Sequence, residues 1–494
     1  MATLLTNPEI LTGGARFANA LDSAGLGRRA SVAVLLHNTS EFLWAYRGSV
    51  WSGRRFTPLS WRWSPEEVRY VVEDCEADAF VVDARCAEAA LAAASLVPES
   101  ARFCVGGEIP GFRPWQEVEA EPCEPLAPPL AGECMLYTSG TTGRPKGVQR
   151  GQLPEGPPPS LFGRAGMAML QAFLPEGDRD SAHLVATPLY HAGPCTYADG
   201  AALLGADLVL MEHFDAEKFL KLVEQYRVTS TFMVPTQFVR LLHLPAAVRE
   251  RYDTSSLRLV CHGAAPVALE TKRQMIDWLG PVLFEFYGGT EGGGCMISSQ
   301  EWLAHPGSVG RPRPGVEVHI LGDDGEPLPA GREGGVFFNL EASPFDYKGD
   351  PDKTREGRIG DLFTMGDIGR LDDEGYLYLC DRSADVILSG GVNIYPAQIE
   401  SVLLELPFVA DCCVVGVPDD EWGEAVRALV QLEPGASAAG DPEARIIEHC
   451  RARLSGHQVP RVVELRDSLP RTETGKLLRR QARDPFWEGR DRRI

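Results

Sequence analysis

The 494-residue sequence lacks a long apolar run and an excess of basic residues. A helix that spans a bilayer needs about 18 consecutive apolar residues, and the longest apolar stretch, 201–211, is interrupted by Gly205 and Asp207. Lysine and arginine total 48 against 69 aspartate and glutamate residues, which gives a formal net charge of −21. The sequence therefore predicts no transmembrane segment and no general nucleic-acid-binding surface, although a local basic site for an anionic ligand is compatible with this charge.

Paired cysteines and a secretion signal are also absent. The 12 cysteines are scattered without a C-x-x-C pair, which argues against a zinc site or a disulfide framework. The first residues lack the basic segment followed by an apolar segment that is typical of a signal peptide. These features predict reduced thiols and a cytoplasmic protein, and they leave the oligomeric state open between monomer and homodimer.

Short buried strands alternate with helical patterns in the first 300 residues, which is typical of an α/β layer architecture with parallel strands. The predicted strands are 31–36, 79–82, 182–187, 207–211, 230–234, 258–261 and 282–285. The predicted helices include an amphipathic segment that begins near residue 14, 64–74 and 216–225. Residues 106–131 are rich in proline, glycine and glutamate, which predicts a connecting loop, and 151–159 is predicted to be a flexible or extended segment with little helical capacity.

Two later regions have a different character. Residues 305–380 contain many glycine turns and short alternating strands such as 316–320 and 335–339, which predict a β-rich subdomain. Beyond residue 381, helical patterns (399–404, 446–454) and strands (410–416, 425–432) predict a compact α+β unit. We therefore predict an α/β fold with a large N-terminal domain, residues 1–381, which consists of two α/β-layered subdomains plus the β-rich subdomain. A small mobile α+β C-terminal domain, residues 382–494, follows a candidate hinge at 381–384.

One glycine- and threonine-rich segment, 138–147 (Thr-Ser-Gly-Thr-Thr-Gly-Arg-Pro-Lys-Gly), follows a predicted strand end at 135–137. Its three glycines allow positive φ and expose backbone N–H groups, while its hydroxyls and the Lys146 ammonium add donors. Such a loop suits a polyanion such as a nucleotide triphosphate. It is not a Walker loop, because no Gly-Lys-Ser/Thr opens a helix at the required spacing. On composition alone, a solvated polar turn fits equally well.

Four further segments carry residues that could act on a nucleotide. In 286–294 (Phe-Tyr-Gly-Gly-Thr-Glu-Gly-Gly-Gly), Glu291 could bind Mg²⁺ and Tyr287 could stack on a base. Asp367 could accept hydrogen bonds from ribose hydroxyls. The segment 382–396 contains a Gly-Gly pair that allows close approach of a hairpin, and 470–476 carries Lys476 on a glycine turn, where it could reach a developing negative charge. Each segment alone is also compatible with an ordinary turn or a solvated side chain.

Together and in this order, the five segments resemble the adenylate-forming superfamily, which includes acyl-CoA synthetases, beetle luciferases and peptide-synthetase adenylation domains. The resemblance extends from about residue 15 to about residue 482. It implies an enzyme that joins a carboxylic acid to ATP, releases pyrophosphate, and passes the acyl group from the acyl-adenylate to a thiol or an amine. Attack of a carboxylate on phosphorus gathers negative charge, which cations and preorganised donors stabilise.

The resemblance also implies roles for individual residues. The implied ATP-binding residues are Thr138, Ser139, Gly140, Thr141, Thr142, Gly143 and Lys146 for the phosphates, Gly263, Ala264, Ala265, Pro266 and Tyr287 for adenine, and Asp367 and Arg382 for the nucleotide sugar. The implied catalytic residues are Lys476, Thr290, Glu291 and His191, with Glu291 as the Mg²⁺ ligand. The implied acyl- and CoA-binding residues are His191, Gly288, Ser389, Gly390, Gly391 and Arg461. The C-terminal domain would rotate between the two half-reactions, and Ala384 replaces the Asp or Lys that is usual at the pivot.

The acid and its acceptor are less well defined. Pro188-Leu189-Tyr190-His191 matches the acyl-pocket entrance of the family. Amino-acid-activating members carry an Asp near this place, so Tyr-His favours an acyl-CoA ligase that uses ATP, Mg²⁺ and CoA. The segments 147–150 and 301–310 are similar to those of bacterial ligases, and the acid is expected to be fatty, alicyclic, aromatic or steroid-type. An amide-forming ligase that uses an amine shares every motif and is the alternative. The intact Lys476 and Glu291 weigh against a non-catalytic binding protein.

Overall fold

The computed structural model describes residues 3–124, 128–139, 144–150, 158–159, 161–174, 180–339, 344–419, 421–433, 435, 441–472 and 477–488. The elements up to the first motif are β1 Thr3–Leu5, α1 Asn7–Ser23, β2 Ser31–Leu35, α2 Ser40–Val50, β3 Arg55–Pro58, α3 Pro65–Asp74, β4 Ala79–Asp83, α4 Ala87–Ala94, β5 Arg102–Val105, β6 Arg113–Pro114, α5 Gln116–Glu119, β7 Glu133–Cys134 and β8 Leu136–Ser139. Strands β2 to β7 form a parallel six-stranded sheet in the order β6-β5-β4-β2-β3-β7. This sheet is the first predicted α/β layer.

A second α/β layer follows. Its elements are β9 Pro145–Gln149, α6 Leu161–Leu170, β10 Ala182–Val185, α7 Ala192–Leu204, β11 Asp207–Leu210, α8 Ala216–Tyr226, β12 Ser230–Met233, α9 Pro235–Leu242, α10 Ala246–Arg249, β13 Leu259–His262, α11 Leu269–Leu279, β14 Leu283–Tyr287, β15 Cys295–Ser298, α12 Ser299–Ala304 and β16 Arg311–Pro312. The eight-stranded sheet has the order β1-β11-β10-β12-β13-β14-β15-β16. Strands β10 to β14 are parallel, whereas β1, β15 and β16 are antiparallel. The link from β14 to β15 is too short for the crossover that parallel pairing needs, so the expectation of parallel pairing fails at this edge.

The third region is β-rich, as expected. Its elements are β17 Val318–Leu321, β18 Gly334–Asn339, β19 Asp346–Tyr347, α13 Pro351–Glu356, β20 Arg358–Ile359, β21 Leu362–Leu371 and β22 Leu377–Arg382. Strands β17, β18, β20, β21 and β22 form one antiparallel sheet, while β19 pairs with β9. The short helix α13 was not predicted from the sequence. Asp350 caps its N-terminus by accepting a hydrogen bond from the Lys353 N–H, and Pro351 suits its first position.

The C-terminal unit is the predicted α+β arrangement. It comprises β23 Ile387–Ser389, β24 Val392–Ile394, α14 Pro396–Leu403, β25 Val409–Asp419, β26 Gly423–Leu432, α15 Pro442–Arg453, β27 Val462–Leu465 and α16 Arg479–Arg483. Its sheet has the order β24-β23-β26-β25, with β27 parallel to β26. A separate apolar core, which includes Ile399, Val414 and Ile446, holds the helices against this sheet.

Helix caps explain where two of the predicted helices begin. In α3, the Ser64 hydroxyl accepts a hydrogen bond from the Glu67 N–H, and the Glu67 carboxylate accepts one from the Ser64 N–H. The first helix begins at Asn7, earlier than the apolar period near residue 14 indicated, because the Glu9 carboxylate accepts the hydrogen bond of the Thr6 N–H. Among the residues that the structure describes, every helix is too short or too polar to cross a membrane.

Candidate active site

The predicted phosphate-binding segment connects two paired strands. Strands β8 and β9 are antiparallel, with Thr138 opposite Lys146, so 140–143 join the ends of a hairpin. Strand β19 extends this hairpin by pairing with β9, which places Tyr347 opposite Val148. Gly140, Thr141, Thr142, Gly143 and the Ser139 side chain lie outside the described residues, and their roles stay predictions.

Tyr347 links the hairpin to the predicted metal ligand. Its hydroxyl donates a hydrogen bond of 2.8 Å to Glu291 Oε1, and the Lys146 ammonium lies 5.8 Å from the centre of its ring. Lys146 Nζ also pairs with Asp350 Oδ2 at 3.1 Å. Burial, with the Glu291 carboxylate next, raises the pKa of Tyr347, so this hydroxyl stays a donor at neutral pH. The structure thus brings Lys146 and Glu291 to one polar cluster.

The glycine-rich turn that carries Thr290 and Glu291 is held by a second cation. The guanidinium of Arg150 donates to the Thr290 carbonyl oxygen at 2.7 Å, and burial lowers the pKa of Arg150. The N–H of Gly289 donates to the carbonyl of Gly292 at 3.0 Å, and the reverse bond measures 3.2 Å. This closed turn fixes where the Glu291 side chain leaves the backbone.

The predicted nucleoside-binding residues form a connected chain. The Tyr287 hydroxyl donates to Asp367 Oδ2 at 2.6 Å, and Arg382 Nε lies 3.4 Å from Asp367 Oδ1. Burial raises the pKa of Tyr287, and the negative charge of Asp367 adds to this rise. Asp367 and Arg382 are opposite each other on β21 and β22, which explains how residues 15 positions apart meet.

The predicted adenine segment 263–266 follows β13 and packs on the next strand. A Cβ at Gly263 would lie 2.4 Å from the carbonyl oxygen of Phe286, so only glycine fits there. Ala264 has a φ of 68°, a left-handed conformation that costs a non-glycine residue about 1–2 kcal/mol. Ala265 and Pro266 complete the segment before α11.

On the predicted acyl side, His191 precedes α7 and its ring centroid lies 4.4 Å from that of Tyr190. A Cβ at Gly193 would lie 2.7 Å from the Phe232 ring, and one at Gly288 would lie 2.8 Å from the Phe286 ring. Aromatic rings therefore approach the backbone closely at both of these glycines.

The C-terminal residues with predicted CoA contacts cluster around Trp422. Ser389, Gly390 and Gly391 form the turn between β23 and β24, with φ of 58° at Gly390 and 80° at Gly391. The Gly390 N–H donates to the Trp422 carbonyl at 2.8 Å. Arg461 pairs with Asp419 at 2.8 Å, and its guanidinium carbon lies 5.6 Å from the centre of the exposed Trp422 ring.

Lys476 lies outside the described residues, whereas its flanks are well anchored. Arg471 forms a two-point ion pair with Asp411 at 2.6 and 2.5 Å. The backbone of Arg471 also forms an antiparallel β-bridge with Leu477, and the Leu478 N–H donates to the Pro470 carbonyl at 2.8 Å. The role of Lys476 therefore stays a prediction.

The donor set around Glu291 fits Mg²⁺ better than a metal held by protein ligands alone. The described part of the chain contains no grouping of three His, Cys, Asp or Glu side chains that could hold a metal ion. Mg²⁺ is commonly bound by one or two carboxylates together with substrate phosphates. A single carboxylate beside the predicted phosphate-binding hairpin matches this arrangement.

Sequence reasoning missed Tyr347, Arg150 and Trp422. Arg150 had a signal, since it ends the segment 147–150, which is similar to that of bacterial ligases. Tyr347 and Trp422 lie in segments without a glycine-rich motif, and only the pairing of β19 with β9 and the turn at Gly390 reveal their positions.

The two-domain architecture, the hairpin with Lys146 and the Glu291 turn are the features expected of an adenylate-forming ligase. The sequence profile described as AMP-binding enzyme matches residues 5–339, and the profile of the AMP-binding enzyme C-terminal domain matches residues 398–476. The chain belongs to this family and is a ligase of the AMP-forming acyl-CoA synthetase type.

Three known proteins illustrate the similarity. Feruloyl-CoA synthase from Amycolatopsis sp is 34% identical over 492 residues, which cover 98% of this chain and 94% of the relative. The long-chain-fatty-acid–CoA ligase FadD13 from Mycobacterium tuberculosis is 30% identical, with coverages of 95% and 91%. The structure of the amide bond synthetase McbA from Marinactinospora thermotolerans matches with a TM-score of 0.80 and 27% identity, covering 97% of this chain and 94% of that one.

Proposed function

We propose that this protein is an ATP-dependent carboxylic acid–CoA ligase that works through an acyl-adenylate. The observation that carries the proposal is the contact of Tyr347 with Glu291, because it joins the predicted phosphate hairpin to the predicted metal ligand. Similarity to CoA ligases along nearly the whole chain supports CoA as the acceptor.

In the first half-reaction, a carboxylate oxygen attacks the α-phosphorus of ATP and pyrophosphate leaves. Thr138, Lys146 and the hairpin turn would hold the β- and γ-phosphates, and Thr290 would contact the α-phosphate. Lys476 would bridge the attacking carboxylate and the α-phosphate, where negative charge accumulates. Glu291 would hold Mg²⁺, which supplies positive charge to the phosphates when it is bound.

In the second half-reaction, the sulfur of CoA attacks the acyl carbonyl carbon, and AMP leaves with the bonding electrons. We propose that the domain comprising 382–494 rotates about 381–384 to exchange Lys476 for the turn at Ser389, Gly390 and Gly391. Trp422 and Arg461 would then flank the thiol route, since both contact this region of the C-terminal domain.

The acid is proposed to be an aromatic or fatty carboxylic acid. The named relatives are a feruloyl-CoA synthase and a long-chain-fatty-acid–CoA ligase. His191 would gate the acyl route beside Tyr190. We place the reaction in the cytoplasm, where ATP and CoA are available and thiols stay reduced; 11 of the 12 cysteines are at least partly buried.

An amide-forming ligase is the second candidate, because the structure of an amide bond synthetase matches over 97% of this chain. One assay separates the two reactions. The protein is incubated with ATP, Mg²⁺ and a panel of aromatic and fatty acids, with either CoA or a primary amine, and the products are identified by mass spectrometry. Acyl-CoA and AMP are expected with CoA. Amide formation with amines, together with no acyl-CoA from any acid, would reject the CoA ligase in favour of the alternative.

A further inference from the structure

A buried cluster of ionisable residues lies next to the proposed adenine segment, 263–266. Lys272 is fully buried and Glu285 is 6% exposed, and Lys272 Nζ contacts Glu285 Oε2 at 2.5 Å. His262 is also fully buried, with its Nε2 3.9 Å from the same carboxylate oxygen. Neither motif matching nor the proposed mechanism uses these three residues.

Their positions in the fold connect the two ends of the adenine segment to one strand. His262 ends β13 and is followed directly by 263–266, and Lys272 lies in α11, which begins just after that segment. Glu285 lies on β14 opposite His262, and it is two residues before Tyr287 on the same face. The Glu285 carboxylate therefore faces groups from both ends of the segment and shares a strand with Tyr287.

The segment between these ends needs such support. Ala264 holds a left-handed φ of 68°, and Gly263 packs against the Phe286 carbonyl oxygen. A strained conformation persists only where the surrounding structure determines it strongly. Lys272 is fixed further by the Trp302 ring, whose centre lies 4.9 Å from Nζ, and His262 by an edge contact of 5.1 Å with Phe238.

Stability alone does not account for this ion pair. Taking two charges out of water costs free energy that their attraction only partly offsets, and apolar replacements of a buried pair are often neutral or stabilising. Burial raises the pKa of Glu285 and lowers that of Lys272, while each charge opposes the shift of the other. Burial and the Lys272 charge lower the pKa of His262, which is therefore neutral.

We propose that the Lys272–Glu285 pair, with His262, is a positioning group for the nucleotide site. It would set the distance between the adenine segment on β13 and Tyr287 on β14, and thereby the affinity for ATP. This inference rests on the proposed function, since it takes 263–266 and Tyr287 as the adenine site.

The test removes both charges together. The double variant Lys272→Met, Glu285→Leu keeps side-chain volume and leaves no unpaired buried charge. The dissociation constant for ATP, measured by calorimetry without acid or CoA, is expected to rise about tenfold. In steady-state assays, the KM for ATP should rise by a similar factor, whereas the KM for the acid should change less than about twofold.

A second buried pair gives the matched control. Arg47 Nη2 and Asp199 Oδ1 are 2.9 Å apart and almost completely buried, on α2 and α7. The double variant Arg47→Met, Asp199→Leu should leave ATP affinity within twofold of the wild type. If the first double variant fails to fold, Lys272→Met, Glu285→Gln, which keeps the shape of both side chains and removes both charges, takes its place with the same expected direction.

The outcomes are distinct. Wild-type ATP affinity in the folded Lys272/Glu285 variant, or an equal loss of affinity in the Arg47/Asp199 control, would overturn the positioning role while leaving the ligase proposal intact. A wild-type protein that binds no ATP would instead overturn the proposed function, and the positioning role with it.

Discussion

Single side chains outside the glycine-rich motifs connect the motifs to each other. Tyr347 contacts Glu291 and lies beside Lys146, and Arg150 holds the Thr290 carbonyl. These contacts come from residues about 55 to 200 positions apart in the chain. The motif residues therefore depend on neighbours that no local pattern marks.

Tyr347→Phe removes the hydroxyl that orients Glu291. The loss of one hydrogen bond costs about 1 kcal/mol, which corresponds to about a fivefold weaker affinity. The concentration of Mg²⁺ needed for half-maximal ATP binding should rise by about that factor, as measured by a calorimetric titration. Tyr252→Phe is the matched control, because the Tyr252 hydroxyl makes a similar 2.8 Å contact with a carboxylate, Glu217, that has no role in the proposed site. An unchanged Mg²⁺ requirement in Tyr347→Phe would contradict the link.

Lys476→Ala tests the role that the family pattern gives to this lysine. Removing one preorganised donor at a developing charge typically lowers a rate constant about 100-fold or more. Acid-dependent exchange of pyrophosphate into ATP should fall by about that factor, whereas conversion of supplied acyl-adenylate to acyl-CoA should change less than about threefold. Equal losses in the two half-reactions would count against a lysine that acts only in the first.

At the scale of elements, the turn between β23 and β24 is shaped by its contact with Trp422. A Cβ at Gly390 would lie 2.5 Å from the Trp422 ring, whereas one at Gly391 would meet no atom within 4 Å. Both glycines have positive φ. An alanine at either position would therefore have a strained backbone, but only an alanine at Gly390 would clash with the Trp422 ring.

Gly390→Ala should slow thioester formation about tenfold without changing adenylation, because the displaced Trp422 ring no longer flanks the proposed thiol route. The cause is the steric clash of the new Cβ with the Trp422 ring, because the backbone strain of about 1–2 kcal/mol is the same at Gly391. Single-turnover measurements of each half-reaction check this. Gly391→Ala should have a clearly smaller effect on the thioester step. The same loss in both variants would assign the effect to backbone strain alone.

The strands and helices that could be predicted are those whose apolar residues follow an unambiguous pattern along the sequence. The strands over 207–211, 230–234 and 258–261 were located to within one or two residues, because parallel strands buried on both faces read as short apolar runs. The antiparallel edge formed by β15 and β16 and the helix α13 were missed. Whether an edge strand runs parallel or antiparallel to its neighbour depends on the length of the segment that connects them. The start of α13 is determined by the cap at Asp350 and not by a periodic pattern of apolar residues.

At the scale of the whole molecule, the sequence predicted the layers and the order of the motifs, but not how the motifs meet. Asp367 and Arg382 were assigned separately to the sugar, and only the register of β21 with β22 brings them together. The contact of Tyr347 with Glu291 depends on a strand pairing across about 200 residues, for which a single sequence carries no local signal.

The proposed hinge region contains a carboxyl group with an unusual titration. Burial raises the pKa of Asp381 to about 6, although Arg479 and the N–H groups of Ala397 and Arg382 oppose the rise. Because the folded-state pKa lies above the unfolded value of about 4, the folded state binds more protons between these values. This group therefore makes the protein less stable as the pH rises from 4 to 6.

Asp381→Asn should remove that dependence. Relative to the variant, the wild type should lose about 1–2 kcal/mol of stability between pH 4.5 and pH 7, after allowance for partial exposure of the group. The difference in thermal midpoint between the two proteins, measured across this range, checks the prediction. A difference that does not change with pH would show that Asp381 titrates normally in the folded state.

In the proposed mechanism, the acyl-adenylate is an intermediate whose acyl group this protein transfers to CoA. The most direct measurement supplies preformed acyl-adenylate and CoA, without ATP, at enzyme concentrations that allow a single turnover. Acyl-CoA and AMP should appear in equal amounts, at a rate at least as fast as the overall reaction. Hydrolysis of the adenylate with CoA left unconsumed would contradict this mechanism.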